Sequence, residues 1–204
     1  MEKCGIRRWK KNPIRLRTLL KLNHINVYIL TGGSSRRFGS DKALGPIYNH
    51  TFTEELYNNF SIISNKVTIV GKRQYFDTLP FIYDLLDVQC PLVGLYTALI
   101  DSETSWNFII SVDMPLIDRE ITQLFLPSRR EKVKIILPRV NDRLYPLCAF
   151  YHSSLKEKLY KTILQKSFRL MDVINDSPHQ IVDLLDTSNQ FVNINTLDQI
   201  KRLG

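Results

Sequence analysis

Residues 27–42 read Val27-Tyr28-Ile29-Leu30-Thr31-Gly32-Gly33-Ser34-Ser35-Arg36-Arg37-Phe38-Gly39-Ser40-Asp41-Lys42. The first four residues are apolar and predict a buried β-strand, and the rest is a loop rich in glycine, hydroxyl groups and cations. Glycines let backbone N–H groups approach an anion closely, and arginine and lysine supply further donors to phosphate oxygens. The stretch therefore predicts a strand that leads into a phosphate-binding loop, and with it a nucleoside triphosphate site.

The spacing of the glycines matches neither of the two common nucleotide-binding motifs. Five residues separate Gly33 from Gly39, whereas the phosphate loop of many NTPases has four residues between its glycines, followed by Gly-Lys-Ser/Thr. The dinucleotide-binding fingerprint needs closely spaced glycines at the start of a helix, and that spacing is absent too. On spacing alone, an ordinary polar loop between a strand and a helix is an equal alternative.

The net charge of +8 is concentrated at the N-terminus. Of the 28 basic and 20 acidic residues, eight and one lie in residues 1–24, which leaves 20 basic and 19 acidic residues in 25–204. We therefore predict a basic N-terminal extension over 1–24 and a single domain over 25–204. For the extension we favour a partly disordered segment, or translated sequence upstream of the true start, over a targeting or nucleic-acid-binding role. Nucleic acid is not an expected partner.

Cysteine usage and hydropathy indicate a cytoplasmic protein. The chain has three cysteines, Cys4, Cys90 and Cys148. They are odd in number and far apart, so they predict neither a disulfide framework nor a zinc site. No apolar run approaches the roughly 20 residues that span a bilayer, so a membrane partner is not expected.

Strand-like apolar runs alternate with helical patterns along the chain. Strands are predicted at 27–30, 67–70, 81–83, 108–112, 133–137, 146–151, 181–185 and 191–194, and a polar turn at 139–143. Helices are predicted at 53–64, 92–100, 118–126, 153–165, 169–175 and 196–203. The strand at 146–151 is expected to be antiparallel. This alternation predicts a three-layer α/β/α sandwich around a mostly parallel sheet.

Three polar residues near strand ends are candidates for metal and ligand binding. Asp113 follows the predicted strand 108–112, and a carboxylate in that position suits Mg²⁺, which takes one or two carboxylates together with phosphate oxygens and water. A turn or helix-capping role for Asp113 is the alternative. Asn193 and Asn195 alternate in the predicted strand 191–194 and its end, so both amides would lie on one face. They could hold a polar ring or complete a metal site, or they could belong to a solvated edge.

Two further residues are weaker candidates for contact with the nucleoside part of the ligand. Asp84 follows the strand 81–83 and could meet a ribose, a base or a metal. Gly94 lies in the first turn of a helix opened by Pro91, where glycine costs about 1 kcal/mol relative to alanine. Close approach by a ligand base would explain that glycine, and helix–sheet packing explains it equally well.

Five blocks of sequence, in order, resemble the molybdenum cofactor guanylyltransferases. These are nucleotidyltransferases of the nucleotide-diphospho-sugar transferase, or glycosyltransferase-A-like, fold. The blocks are residues 30–42, Cys90-Pro91-Leu92-Val93-Gly94, Val112-Asp113-Met114-Pro115, Pro146-Leu147-Cys148-Ala149 and Asn193-Ile194-Asn195-Thr196. The resemblance spans residues 26–203. Thr31 stands where the family has alanine, Cys90 stands where it has glycine, and residues 45–51 differ from the family's Gly-Lys-Pro-containing turn and lack its lysine.

The resemblance implies transfer of GMP from GTP to molybdenum-bound molybdopterin, with release of diphosphate. It implies Mg²⁺ on Asp113, charge stabilisation by Lys42 and Arg37, and acceptor binding by Asn193 and Asn195. The implied nucleotide-binding residues are Leu30, Thr31, Gly32, Gly33, Lys42, Gly71, Asp84, Pro91, Gly94 and Asp113. Molybdoenzyme apoproteins or chaperones are conceivable protein partners, since the cofactor is labile.

Two other functions stay open on the sequence. The first is a cytidylyltransferase that uses CTP, with molybdopterin or a sugar or polyol phosphate as acceptor. The second is a non-enzymatic nucleotide-binding protein.

Overall fold

The computed structural model describes residues 24–32, 42–125, 132–184, 189–194 and 199. The strands are Ile25–Leu30 (β1), Pro46–Ile47 (β2), His50–Thr51 (β3), Val67–Gly71 (β4), Phe81–Tyr83 (β5), Trp106–Ser111 (β6), Ile135–Val140 (β7), Arg143–Leu144 (β8), Cys148–His152 (β9) and His179–Asp183 (β10). The helices are Phe52–Ser61 (α1), Pro91–Asp101 (α2), Arg119–Thr122 (α3), Lys156–Leu164 (α4) and Leu170–Asn175 (α5). The described segments contain no helix long and apolar enough to cross a bilayer.

Within the described residues, eight strands form one mixed sheet. Its order is β10-β7-β9-β6-β1-β4-β5, with β8 paired to β7. The strands β5, β4, β1 and β6 are parallel neighbours, whereas β9 pairs antiparallel with both β6 and β7. The prediction of a mostly parallel sheet with an antiparallel strand near 146–151 is confirmed.

Helices cover both faces of this sheet because the central strands are apolar on both sides. Along β1, Val27 and Ile29 pack into the core beside α1, together with Phe52, Leu56 and others. Tyr28 and Leu30 point to the opposite core, which α2, α4 and α5 cover. Alternate residues of a strand face opposite sides of the sheet, so an all-apolar strand requires two covering layers. The result is the predicted α/β/α sandwich.

A capping box sets the start of α1. The Thr51 hydroxyl accepts a hydrogen bond from the Glu54 backbone N–H, and the Glu54 carboxylate accepts one from the Thr51 N–H. The two bonds satisfy backbone donors that a helix start leaves open. Since Thr51 also belongs to β3, the β2–β3 hairpin is fixed directly in front of the helix.

Some predicted boundaries were wrong. The strand predicted at 133–137 extends over Ile135–Val140, so the polar turn predicted at 139–143 shrinks to Asn141 and Asp142. Both have positive φ, 48° and 61°, a combination that a tight antiparallel hairpin favours and that Asn and Asp tolerate. The helix predicted at 118–126 is α-helical only over Arg119–Thr122, and a 3₁₀ turn then follows to Phe125.

The predicted strand at 191–194 does not form. Strand periodicity would put Val192 and Ile194 on one face, but Val192 is exposed and Ile194 is buried. Phe191 and Ile194 instead pack into the core on the α1 side, and the Phe191 carbonyl accepts a hydrogen bond from the Tyr145 hydroxyl. Residues 1–23 of the predicted N-terminal extension, and all of the last predicted helix, 196–203, except residue 199, lie outside the described residues.

Candidate active site

Four parallel strands end at the same edge of the sheet, and backbone hydrogen bonds join the segments that follow them. The Thr31 N–H donates to the Val70 carbonyl at 2.9 Å, and the Asp84 N–H donates to the Gly71 carbonyl at 2.9 Å. The Val112 N–H donates to the carbonyl of Leu30 at 3.0 Å. These bonds hold the residues after β1, β5 and β6 together. Ligands of open α/β sheets bind at this edge.

A narrow cleft opens at this edge between β1 and the start of α2; we call it the β1–α2 cleft. Of the predicted nucleotide-binding residues, the cleft is lined by Leu30, Gly32, Asp84, Pro91 and Gly94. Its other lining residues, which the nucleotide-site prediction did not include, are Val70, Cys90, Ser111 and Leu147. Two of them, Val70 and Ser111, reach the cleft because they pair with Leu30 from the strands on either side of β1. Cys90 and Leu147 lie in sequence blocks that the resemblance singled out.

Two glycines keep this region tightly packed. A Cβ at Gly94 would lie 3.3 Å from Leu30 Cδ2 and 3.8 Å from Asp84 Oδ1, so a side chain there would fill the cleft. A Cβ at Gly71 would lie 2.3 Å from Thr31 Oγ1, which is an impossible approach. Gly71 does not line the cleft; it makes room for Thr31, whose hydroxyl donates to the Val70 carbonyl at 3.0 Å.

Asp84 is the charged group of the β1–α2 cleft. Its Oδ1 is buried and has no hydrogen-bond partner among the described residues. Burial raises the pKa of the Asp84 carboxyl above its ordinary value, and the charge of Lys72 partly opposes that rise. Lys72 itself forms an ion pair with Asp87 at 2.7 Å. A buried acceptor without a donor is costly unless a ligand supplies one.

A second group of polar side chains lies around Asp113. Lys42 Nζ is 3.9 Å from Asp113 Oδ2, and both side chains are four-fifths buried. The Asn193 side-chain amide donates to the same oxygen at 3.3 Å. The Ile194 N–H donates to the Asp113 backbone carbonyl at 2.8 Å, which fixes the 189–194 segment against the end of β6. The structure thus brings together three of the predicted residues. Arg37, Gly33 and Asn195 lie outside the described residues.

The donor set at Asp113 fits a nucleotide-bound magnesium ion rather than a metal held by protein alone. No cluster of three or more His, Cys, Asp or Glu side chains that could hold a metal occurs within the described segments. Mg²⁺ commonly binds one or two protein carboxylates and takes its other ligands from phosphate oxygens and water. The neighbouring ammonium of Lys42 would also attract phosphate to this position.

The cleft and the Lys42–Asp113 pair lie where α/β proteins bind nucleotides, and a cation beside a lone carboxylate suits a metal-bound triphosphate. The architecture is that of the nucleotidyltransferases. Residues 27–181 match the family described as MobA-like NTP transferase domain, and the chain belongs to this family.

Individual relatives agree with this assignment. The chain is 30% identical over 183 residues to a probable molybdenum cofactor guanylyltransferase of Flavobacterium johnsoniae, a match that covers 88% of this chain and 96% of the relative. Its fold is similar to that of molybdopterin-guanine dinucleotide biosynthesis protein A from Archaeoglobus fulgidus, with a TM-score of 0.74, 22% identity, and coverage of 87% and 96% of the two chains. A 2-C-methyl-D-erythritol 4-phosphate cytidylyltransferase from Thermus thermophilus shares the fold at a TM-score of 0.61 and 13% identity, covering 88% and 98%. The predicted family and fold are confirmed.

Proposed function

We propose that this protein transfers GMP from GTP to molybdenum-bound molybdopterin and releases diphosphate. The family membership supports nucleotidyl transfer, and the names of the relatives support this acceptor. The single observation that favours guanine is the unpartnered Asp84 Oδ1 in the β1–α2 cleft. Guanine presents two adjacent donors, its ring N–H and its 2-amino group, to a carboxylate. Adenine and cytosine pair their amino group with an acceptor nitrogen, which a carboxylate repels.

The nucleoside would lie in the β1–α2 cleft, with the triphosphate extending along the loop after β1. Backbone N–H groups at residues 32 and 33 would contact the phosphates. Lys42 and Arg37 would stabilise negative charge on the phosphates and on the leaving diphosphate. Gly94 leaves space for the base, since any side chain there would meet Leu30 and Asp84. Gly71 supports the site indirectly, through Thr31.

Asp113 would hold Mg²⁺ on the triphosphate. When bound, the ion supplies charge neutralisation and orientation of the phosphates. Asn193, which already donates to Asp113, would lie on the acceptor side of the site together with Asn195. The terminal phosphate oxygen of molybdopterin would attack the α-phosphorus of GTP in line, and the bond to the diphosphate oxygen would break. The reaction needs no side-chain nucleophile, so catalysis rests on positioning and on charge stabilisation.

The remaining parts of the proposal concern organisation. Residues 25–204 would form the transferase domain, and residues 1–24 a basic extension dispensable for transfer. The reaction would take place in the cytoplasm, and the product would be handed to a molybdoenzyme apoprotein or a chaperone.

The test is a transfer assay with purified protein, Mg²⁺, molybdenum-bound molybdopterin and either GTP, CTP or ATP. We expect the guanine dinucleotide cofactor and diphosphate in equal amounts with GTP, and little product with the other two nucleotides. Higher kcat/KM with CTP than with GTP would overturn the guanine assignment and establish the cytidylyltransferase alternative. Nucleotide binding without transfer to any phosphorylated acceptor would contradict the enzymatic proposal altogether.

A further inference from the structure

A second, larger groove lies on the α1 side of the sheet; we call it the α1 groove. Its volume is about 380 Å³, which falls within the range of small-molecule sites. One wall is an outward face of α1 and the other is the segment after β6, and the β2–β3 turn lies at its rim. It is lined by Tyr48, Glu55, Asn58, Asn59, Ile62 and residues 115–119.

Hydrogen bonds across the groove connect its two walls. The Asn59 side-chain amide donates to the Ile117 carbonyl at 2.9 Å, and its Oδ1 accepts from Arg119 Nη1 at 2.9 Å. Because both ends of the Asn59 amide are used, α1 and the 115–119 segment are held at a fixed separation. A groove with walls fixed in this way does not need to form when a ligand arrives.

Two side chains of the groove have no polar or ring partner among the described residues. Tyr48 is 76% exposed, and its backbone adopts φ 51°, a left-handed conformation that a tyrosine rarely occupies. Glu55, in the first turn of α1, is half-buried, and its carboxylate forms no hydrogen bond or ion pair with any described residue. An exposed aromatic ring on strained backbone, in the same groove as an unpaired carboxylate, indicates a ligand rather than a folding role.

Short chain segments and one hydrogen bond link the lining of the α1 groove to the proposed phosphate site. Pro115 comes two residues after Asp113, so their Cα atoms are at most about 8 Å apart. Tyr48 comes six residues after Lys42, across a 3₁₀ turn and β2. Gln190 of the segment that carries Asn193 accepts a hydrogen bond from the Asp118 N–H at 2.9 Å, which connects the acceptor side to the groove wall.

We propose that the α1 groove binds the 2-amino-4-oxopteridine ring of the acceptor, with Tyr48 stacked on the ring and Glu55 accepting hydrogen bonds from its N3–H and 2-amino group. This inference rests on the proposed function, which supplies a pterin acceptor whose phosphate must reach Asp113. The pyrimidine half of a pterin presents the same pair of adjacent donors as guanine. Asp84 and Glu55 would therefore recognise the two substrates by the same chemistry at two separate positions.

The sequence of the β2–β3 hairpin differs from that of the family, and the difference concerns the α1 groove. The family has a Gly-Lys-Pro-containing turn after the Asp-Lys block, whereas residues 45–51 of this chain lack that lysine and carry Tyr48 in the turn of the hairpin. A glycine at the turn would adopt positive φ without strain but would offer no ring. Tyr48 adopts the strained conformation and presents an aromatic face at the groove, on which a heterocyclic ring can stack.

The test uses Glu55→Gln and Tyr48→Ala, with Tyr48→Phe as the conservative variant and Glu157→Gln as the matched control. Glu157 lies on α4, on the opposite face of the sheet. In the transfer assay, we expect Glu55→Gln and Tyr48→Ala to raise the KM for molybdenum-bound molybdopterin about tenfold, with the KM for GTP unchanged. Tyr48→Phe and Glu157→Gln should behave as wild type. Circular dichroism and thermal unfolding of each variant verify that it folds.

A second measurement separates this inference from the proposed function. Free 2-amino-4-oxopteridine is titrated with each protein and its fluorescence quenching is followed. Binding that Glu55→Gln and Tyr48→Ala weaken supports the groove assignment even if the wild type transfers no GMP. Absence of pterin binding, or binding and acceptor KM that neither variant alters, overturns the groove assignment even if GMP transfer is efficient.

Discussion

Replacing Asp84 by asparagine should weaken GTP binding and stabilise the unliganded protein at the same time. The substitution keeps the shape of the side chain and removes its charge. In the wild type, Oδ1 is buried in the β1–α2 cleft without a partner, and burial raises the pKa of the carboxyl. If guanine supplies the missing donors, the same carboxylate is unfavourable in the free protein and favourable in the complex.

The expected loss of affinity follows from two charge-assisted hydrogen bonds. Each is worth about 1.5–3 kcal/mol, so losing both costs about 3 kcal/mol at the lower end. This corresponds to roughly a hundredfold increase in the Kd for GTP. The neutral amide also places an N–H₂ group opposite the guanine donors, so selectivity for GTP over ATP should fall as well.

The expected gain in stability follows from the raised pKa of Asp84. Because that pKa lies higher in the folded than in the unfolded state, folding favours the protonated carboxyl. Below the unfolded pKa of about 4, both states carry the proton and ionisation costs nothing. As pH rises through the folded pKa, stability is lost, and asparagine avoids that loss. A buried polar atom without a partner costs about 1–3 kcal/mol, and more when it is charged. Asparagine keeps a polar atom there and removes only the extra cost of the charge, which the half-exposure of Asp84 makes small. We expect about 1 kcal/mol, or a Tm higher by about 2–4 °C at pH 7.

Isothermal titration calorimetry with GTP and ATP measures the first effect, and differential scanning calorimetry from pH 4 to pH 7 measures the second. The matched control is Asp87→Asn in the same loop, where the carboxylate is fully exposed and pairs with Lys72. That variant should change the GTP affinity by no more than about twofold, since exposed ion pairs contribute little. A lower Tm for Asp84→Asn at pH 7, combined with an unchanged Kd for GTP, would refute the reasoning. A stability gain that persists undiminished at pH 4 would refute the electrostatic part of it.

Further predictions concern the residues around this site and the core. Asp113→Asn should lower kcat by roughly a hundredfold or more, with normal circular dichroism and Mg²⁺-free GTP binding close to wild type; transfer at the wild-type rate would exclude Asp113 as the metal ligand. Gly71→Ala should lower the Tm by several degrees because its Cβ would overlap Thr31 Oγ1, and the double variant with Thr31→Ala should recover most of the loss; equal melting of the single and double variants would contradict the packing explanation. Tyr28→Phe removes the 2.8 Å hydrogen bond to Asp101 and should cost about 1 kcal/mol in unfolding experiments with denaturant, with GTP affinity unchanged.

Elements with a long apolar pattern were predictable from the sequence, and short ones were not. The strands of the parallel core are continuous apolar runs, which bury both faces, and their positions came out within a few residues. The two strands of the β2–β3 hairpin, Pro46–Ile47 and His50–Thr51, have two residues each. Strands this short cannot show the alternation of apolar and polar residues by which a strand is recognised in a sequence. The turn at 141–142 was predicted too wide, because Arg139 looks like a loop residue but pairs across the sheet edge with Asp183.

Asn193 lies beside Asp113 for a reason other than the strand pattern that singled it out. Alternation of apolar and amide residues at 191–194 predicted a strand with both asparagines on one face. The segment is instead irregular, and its Ile194 N–H donates a hydrogen bond to the Asp113 carbonyl. That bond, rather than strand periodicity, brings the Asn193 amide to Asp113 Oδ2. Long-range bonds of this kind leave no periodic signal in the sequence.

The residues that sequence reasoning missed in the β1–α2 cleft follow from the position of Leu30 in the sheet. Leu30 pairs with Val70 on one side and Ser111 on the other, so both neighbours reach the cleft without any motif. Its side chain limits the space above Gly94, while its carbonyl accepts the Val112 N–H next to Asp113. The end of β1 therefore positions the β1–α2 cleft through a side chain and the Asp113 segment through the backbone. A substitution at Leu30 can alter the first without the second, because only the cleft depends on side-chain volume.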